Sequence, residues 1–504
     1  MTVTLTDIAI SDNRLILDGQ EVDSVSGETF ERTSPAHDVV VARYAKGGAD
    51  DVARGVTAAR RAFDAGPWPR RAGVERSRVL RRVADLIRRD RDQLARIEAL
   101  ESGKPITQAY DEVDASAELW DYAATLARHS YGDAHNDLGP DVLAMVVNEP
   151  LGVVSIITPW NFPLLIVSQK LPFALAVGCT AVVKPSELTP GTTVHLARLI
   201  IEAGADEGVV NVVTGSGGVG SAMSAHPDVD MISFTGSTEV GRKVAAAGGQ
   251  LLKRIELELG GKNPQIICAD SDLDAAADAV VFGVYFNAGE CCNSGSRVLV
   301  QRSIADDFVA EVVNRARRVP VGDPLDPATK VGAIVSDEQL AVIERYVSEG
   351  RSGDAELLLG GDRLASDNGR FYQPTVFANV RPEMSIAREE IFGPVLSVLT
   401  FETLDEAVGI ANSTMYGLSA GIWTRDINAA LSASRALRAG TVWVNRWMDG
   451  YPELPFGGYN ASGEGRELGR QAIGSFTQTK TIQLQVGDRT TRWVPAAHHL
   501  GGLS

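Results

Sequence analysis

VVSIIT (Val153–Thr158), TAVVK (Thr180–Lys184), VVNVVTG (Val209–Gly215) and MISFTG (Met231–Gly236) are short apolar runs, each closed by Gly, Pro or a polar turn. Helical stretches lie between them. Strands alternating with helices make βαβ units, so the expected fold class is α/β, with a parallel sheet covered by helices on both faces. Such a sheet binds ligands beyond the carboxyl ends of its strands. The loops that follow these four runs are therefore where chemistry is expected.

The pattern extends in both directions. Residues 50–129 read as helical. ERSRVLRRVADLIRRDRDQLARIEALESG (Glu75–Gly103) spaces its apolar residues at three and four, and is expected to run as one helix to the break at Gly103 and Pro105. DVLAMVVN (Asp141–Asn148) reads as a strand, and a second α/β pattern covers residues 263–462. TQTKTIQLQVG (Thr477–Gly487) alternates like a lone strand without a hairpin partner. It needs an edge, and another subunit is one way to supply it.

The 504 residues suggest roughly three domains. Lys and Arg number 48 against 65 Asp and Glu, a net charge of −17. That balance argues against nucleic acid and anionic membranes as partners, since both require basic patches. No apolar run is long enough to span a bilayer, and MTVTLTDIAISDNR has neither the basic head nor the apolar stretch of a secretion signal. The expected location is the cytoplasm. Four cysteines make no disulfide framework, so reduced thiols are expected, and no metal site is expected.

GSGGVG (Gly215–Gly220) fits a dinucleotide fingerprint, but the next strand ends in Phe234-Thr235-Gly236 without the acid that reading requires. With 50 glycines in the chain, a tight turn is the plainer reading. FTGSTEVG (Phe234–Gly241) is the better candidate: a strand runs into a helix start, where Gly236, Ser237 and free amides can hold a pyrophosphate. The ribose acid stands elsewhere, as Glu187 in VVKPSE. A carboxylate there accepts from the 2′- and 3′-hydroxyls and repels a 2′-phosphate, which Lys184 tolerates. NAD is favoured, with NADP possible.

Cys292 lies in FNAGECCNSGSR among small residues that leave room for a reagent. A thiol with a pKa of about 8.5 needs help to react near neutrality. Cys179 and Cys268 sit in apolar runs and read as inert. No histidine shares such a context: His195 lies in a helical run and His226 before Pro227. The remaining base is a carboxylate, and Glu258 in LELGGKNP (Leu257–Pro264) supplies one whose pKa burial can raise. Asn161 in TPWNFP offers a neutral amide donor at the sheet's carboxyl edge, as a developing alkoxide requires.

TPWNFP, KPSE, FTGSTEVG, LELGGKNP, FNAGECC, EEIFGPV (Glu389–Val395) and PFGGYNASGEGRELG (Pro455–Gly469) occur in this order, with Cys292 34 residues after Glu258. Together they resemble the aldehyde dehydrogenase superfamily along nearly the whole chain, with betaine- and aminobutyraldehyde-oxidising members as the nearest. The resemblance implies NAD-dependent oxidation of an aldehyde to a carboxylic acid. In it the Cys292 thiolate attacks the aldehyde carbon, the oxyanion rests on Asn161 and the Cys292 amide, and Glu258-activated water hydrolyses the thioester. It also implies proton relay through Lys170 and Glu467. For the cofactor it implies Glu390 and Phe392 at the nicotinamide half, Lys184 and Glu187 at the adenosine ribose, and Ile157, Thr158, Trp160, Gly236, Ser237 and Leu259 lining the site.

The implied fold is a Rossmann-like cofactor domain (1–127 and 151–260), an α/β catalytic domain (261–462) and an oligomerisation arm of β-strands (128–150 and 463–504). A homodimer or homotetramer follows from the arm. Glu290 stands where glutamine is more usual in the family, and is expected to point away from the sulfur.

Substrate choice is expected in a funnel of Phe162, Gln169, Phe456 and the loop Trp447–Tyr451. Asp111 and Asp114 share a helix face. With cation–π contact from Trp or Tyr they suggest a small polar or cationic aldehyde, although a solvated helix face is the plainer reading. A CoA-acylating semialdehyde dehydrogenase is disfavoured by Glu258. A thiol hydrolase would ignore NAD. A non-catalytic structural protein on this fold is disfavoured by the intact Cys292, Glu258 and Asn161.

Overall fold

The computed structural model describes residues 10–129, 131–365, 369–488 and 493–494. The tail of the expected arm beyond these, and residues 1–9, lie outside them.

The four opening runs form the heart of one sheet. In space its strands run Gly463–Glu464, Arg254–Glu258, Met231–Thr235, Val153–Ile157, Thr180–Lys184, Val210–Val212, Leu15–Leu17 and Gln20–Val22. The five from Arg254–Glu258 to Val210–Val212 are parallel, and the flanking ones are antiparallel. Val153–Ile157 and Thr180–Lys184 are buried throughout, as strands covered on both faces should be. Gly463–Glu464, expected in the arm, instead pair with Leu257 and Glu258 on the first sheet.

The chain changes sheets between Glu258 and Pro264. The second sheet has seven strands, ordered Glu356–Leu359, Thr375–Ala378, Val395–Phe401, Arg297–Gln301, Pro264–Ile267, Ser419–Trp423 and Thr441–Val444. All its pairings are parallel except the first.

The late strand is not lone. Thr477–Gln485 pairs antiparallel with Val142–Pro150 along its whole length, and Asp133–His135 pairs with the other edge of Val142–Pro150. The partner was simply far away in sequence. In this three-stranded sheet the outer edge of Thr477–Gln485 takes no further strand among the described residues.

The long helix expected over Glu75–Gly103 is two, Gly73–Arg89 and Arg91–Ser102. The chain breaks at Asp90, whose carboxylate takes hydrogen bonds from Arg89 (2.7 Å) and the His195 ring (2.8 Å). The distant His195 contact goes with a break in an apolar period that continues across it. Among the described residues no helix is long and apolar enough to cross a membrane.

Candidate active site

The carboxyl ends of the parallel strands gather Thr158, Lys184, Gly236 and Glu258, each contributed by a different strand. Lys184 pairs with Glu187 at 2.9 Å, and Glu187 keeps its carboxylate 44 % exposed. Ser237 caps the helix Thr238–Gln250 by accepting from the Val240 N–H at 3.3 Å, so several first-turn amides face outward beside Gly236. Thr158 Oγ1 and Thr235 Oγ1 are buried without a partner among the described residues. Leu259 packs beneath Gly241, and Ile157 packs beside Gly220. Donors, a helix N-terminus and an exposed ribose-type acid on one sheet edge fit a dinucleotide such as NAD.

Glu390 and Phe392 lie across from that edge. Glu390 Oε1 accepts from the Gly261 N–H at 2.9 Å, and a Cβ on Gly260 would stand 2.2 Å from its carboxylate. Gly260 leaves room for Glu390 to close onto the backbone, and Gly261 leaves room for Asn263 and the Cys292 carbonyl. Burial raises the Glu390 carboxyl to about 7, against the Gly261 N–H and Lys262. The Phe392 ring meets Trp160 edge-on at 5.3 Å. Gln339, which no sequence pattern marks, holds the Ile391 and Phe392 carbonyls at 3.1 and 2.8 Å.

Cys292 follows a turn in which Asn287, Ala288 and Gly289 all take left-handed φ (50°, 56° and 75°). Only glycine fits at 289, since a Cβ there would lie 2.2 Å from the Gly393 carbonyl oxygen. The turn is tied down by amides. Asn287 N–H donates to Gln108 Oε1 (2.9 Å), and Asn287 Nδ2 donates to the Asn161 and Glu290 carbonyls (both 3.1 Å). Asn161 Nδ2 donates to the same Glu290 carbonyl at 3.1 Å. Asn263 Nδ2 holds the Cys292 carbonyl at 2.7 Å and the Ser294 carbonyl at 2.9 Å. The Asn161 amide is thus fixed beside the nucleophile turn. Gln108 and Asn263 escape sequence reasoning because single polar tethers carry no pattern.

The half-buried Cys292 thiol is raised well above its ordinary value, first by its hydrogen bond with Cys291, then by burial and the nearby carboxyls of Glu390 and Glu258. Glu258 is buried, with both carboxyl oxygens unpartnered. Burial pushes it far up, and Glu467 and Glu256 push the same way against Lys170. Lys170 is ion-paired with Glu467 and donates to Ser233 Oγ at 3.1 Å, all in the interior. Glu290 is turned away from the sulfur, as expected: its Oε1 accepts from the Val335 N–H at 3.1 Å.

The substrate side is apolar. Phe162, Ile166 and Cys291 cluster with Leu165, Phe286 and Met448, and Phe162 stacks on Phe286 at 5.9 Å. Lys104 Nζ sits 4.1 Å from the Phe162 centroid, paired with Glu112 and, at 3.6 Å, with Glu98. Those carboxylates also accept from the Leu165 and Leu164 amides, which begin the helix Pro163–Val177 and have no helical partner. The helix carrying Gln169 and Lys170 is thereby capped from a distance. Gln169 is half-buried on it, and half-buried Phe456 exchanges backbone hydrogen bonds with Glu467 at 2.7 and 2.8 Å.

Two expected substrate residues are placed elsewhere. Asp114 is clamped by Arg91 through two hydrogen bonds of 2.7 Å on the outer helix face. Trp447 turns into the interior, its indole filling the space left by Gly283, Gly295 and Gly421, and Met448 takes its place in the aromatic cluster. Asp111 remains, lining a cleft of about 590 Å³ with Phe282 and Phe286, where Asp111 and Asp278 face Arg315, Arg318 and Lys330.

Residues 22–482 match the model of the aldehyde dehydrogenase family. The betaine aldehyde dehydrogenase of Bacillus subtilis (strain 168) is 40% identical over 483 residues, 95% of this chain and 99% of that protein. The chain belongs to the aldehyde dehydrogenase family. Oxidation of an aldehyde with NAD is the chemistry of that family. The crystal structure of an NAD-dependent aldehyde dehydrogenase from Sinorhizobium meliloti superposes with a TM-score of 0.95 at 51% identity, covering 96% of each chain. A betaine aldehyde dehydrogenase from Staphylococcus aureus, solved in complex with NAD+, gives 0.94 at 38% identity, covering 96% of each.

Proposed function

We propose that Cys292, Glu258 and Asn161 oxidise an aldehyde to its carboxylic acid through a thioester on Cys292. The observation that carries this reading is a thiol within electrostatic reach of a buried carboxyl that is unpartnered among the described residues, on a turn that also fixes a neutral amide, at the sheet edge that fits NAD. The Cys292 thiolate, whose proton goes to solvent before the first turnover, adds to the aldehyde carbon and is released again when the C–S bond of the thioester breaks on hydrolysis. Asn161 Nδ2 and the Cys292 N–H, which donates to nothing else among the described residues, receive the oxyanion. NAD, when bound, supplies the hydride acceptor. Glu258 then takes a proton from the water that attacks the thioester. Measuring NADH without CoA across neutral, hydroxylated, aromatic and cationic aldehydes tests this. Turnover insensitive to CoA supports it, and turnover that requires CoA refutes it.

The first sheet, the second sheet and the three-stranded arm are assigned to cofactor binding, catalysis and assembly. Exposed Leu484 and Val486 lie on or beside the open outer strand, which suits a second copy of the chain, in a dimer or tetramer. All four cysteines are unpaired, which fits the reducing cytoplasm.

For the cofactor, Glu187 is assigned the adenosine ribose hydroxyls. Glu187→Gln removes the repulsion toward a 2′-phosphate while Lys184 remains. The NAD-to-NADP ratio of kcat/KM is expected to fall by about tenfold, roughly 1.4 kcal/mol. A ratio unchanged by this substitution would remove Glu187 from the ribose.

For the substrate, an aldehyde is assigned whose apolar body fits the Phe162–Phe286 throat and whose far end is cationic and reaches Asp111. Asp111 has no ion pair of its own among the described residues, and burial and then Asp114 raise its carboxyl, against Arg91 and Lys330. Asp111→Asn is expected to raise KM for a cationic aldehyde about threefold, the scale of one partly screened charge, with neutral aldehydes unaffected. Asp114→Asn is expected to change neither. Equal effects of Asp111→Asn on both aldehydes would sink the cationic assignment.

A further inference from the structure

Glu256 is a charged residue in the interior that the reaction, as described so far, does not use. It sits on the same strand as Glu258, two residues earlier, and is 2 % exposed. Its Oε2 lies 3.5 Å from Ser233 Oγ, the hydroxyl that accepts from Lys170 Nζ at 3.1 Å. Its Oε1 accepts from Ser475 Oγ at 3.0 Å, and Ser475 is half-buried at the foot of the arm strand Thr477–Gln485. Hydrogen-bonding atoms therefore run without a break from the Lys170–Glu467 pair through Ser233 and Glu256 to the protein surface.

Aldehyde, NAD+ and water become carboxylate, NADH and two protons. Both protons must leave a pocket whose base, Glu258, is fully enclosed. We propose that Glu256 is a positioning residue that receives these protons, drawing them from Lys170 through Ser233 and passing them to solvent through Ser475. Each step conserves protons. Lys170 gives one to Ser233 Oγ as the Ser233 hydroxyl gives its own to an ionised Glu256, and Lys170 is refilled from Glu467, to which Glu258, unpartnered among the described residues, passes its proton through water. Protonated Glu256 then donates to Ser475 Oγ, whose own proton leaves outward.

The surroundings suit a carboxyl that changes state near neutrality. Lys170 faces it from the helix Pro163–Val177, Glu467 from the loop after Gly463–Glu464, and Glu258 from its own strand. Arg466 acts on Glu258, and Arg254 is occupied by the carbonyls of Gly474, Ser475 and Thr477. One ammonium serves several carboxyls. Burial and Glu467 raise Glu256 to about 8, against Lys170, Ser475 and Ser233. The empty acceptor therefore forms as pH rises through that range, and kcat should rise with it.

The test is the pH dependence of kcat in Glu256→Gln, Glu256→Asp and Ser475→Ala, with the NADH burst as a control. The inference rests on the Cys292–Glu258 reading, whose failure would show separately as wild-type protein without turnover. Glu256→Gln is expected to keep the burst, because hydride transfer comes first, and to lose the part of the rise in kcat between about pH 7 and 9 that Glu256 carries, at least threefold at the upper end, while the part due to ionisation of Glu258 remains. Glu256→Asp restores the rise. Ser475→Ala, a mild change, lowers kcat at the upper end only. If Glu256 acted merely as a neighbouring charge, Glu256→Gln would ease ionisation of Glu258 and raise kcat near pH 7. That result, or wild-type profiles in Glu256→Gln and Ser475→Ala, overturns the proposal.

Discussion

Cys292→Ala is expected to lower NADH formation by at least about ten-thousandfold, while NAD binding stays within about twofold of the wild-type value. The cause is local. The substitution removes the only thiol of the four that stands half-open beside the Asn161 amide. Cys179 and Cys268 are buried, and burial raises both to about 11. Cys291 is buried in the cluster with Phe162 and Ile166. A steady-state assay with dye-free NADH detection and a calorimetric titration with NAD measure the two halves. Retention of more than a few per cent of the activity would transfer the nucleophile to another group.

Glu258→Gln is expected to separate the two halves of the reaction. Hydride transfer needs the thiolate and the oxyanion donors, so a burst of about one NADH per site should persist. Hydrolysis needs a base, and kcat should fall by about a hundredfold or more. The pH dependence follows from the same burial. Burial raises the Glu258 carboxyl, so it ionises at higher pH than an exposed carboxylate, and the base form, and with it kcat, grows as pH rises through that raised range. The glutamine variant should lose this dependence. Loss of the burst along with kcat would instead place Glu258 in the removal of the Cys292 proton. Steady turnover at the wild-type rate would remove it from the mechanism.

Much of this was open to reading in the sequence because it is local. Short apolar runs closed by turns mark the ends of parallel strands, and those ends carry Thr158, Lys184, Gly236 and Glu258. The turn of Glu290 away from the sulfur was legible from its chemistry, since a carboxylate against a nucleophilic thiol would be self-defeating. What was lost is non-local. Thr477–Gln485 reads as lone because its partner, Val142–Pro150, lies far back in the chain. Trp447 reads as a substrate residue because the sequence does not show that Gly283, Gly295 and Gly421, from separate segments, leave a slot for its indole. Asp114 shares a face with Asp111, which the helical period reveals, but Arg91 on a neighbouring helix takes it out of the substrate's reach. The Lys104–Glu98–Glu112 cluster and the Glu256–Ser475 link carry no motif at all. They are made by burial, which brings charges together that the sequence keeps apart.

The measurement that bears most directly on the central claim is the mass of Glu258→Gln protein after incubation with NAD and an aldehyde. Acyl transfer to sulfur replaces the thiol hydrogen with an acyl group. The peptide containing Cys292 should therefore gain the mass of the aldehyde less two hydrogens, in step with NADH formed. NADH appearing without an adduct on that peptide, or an adduct on a different residue, would contradict the thioester and the role given to Cys292.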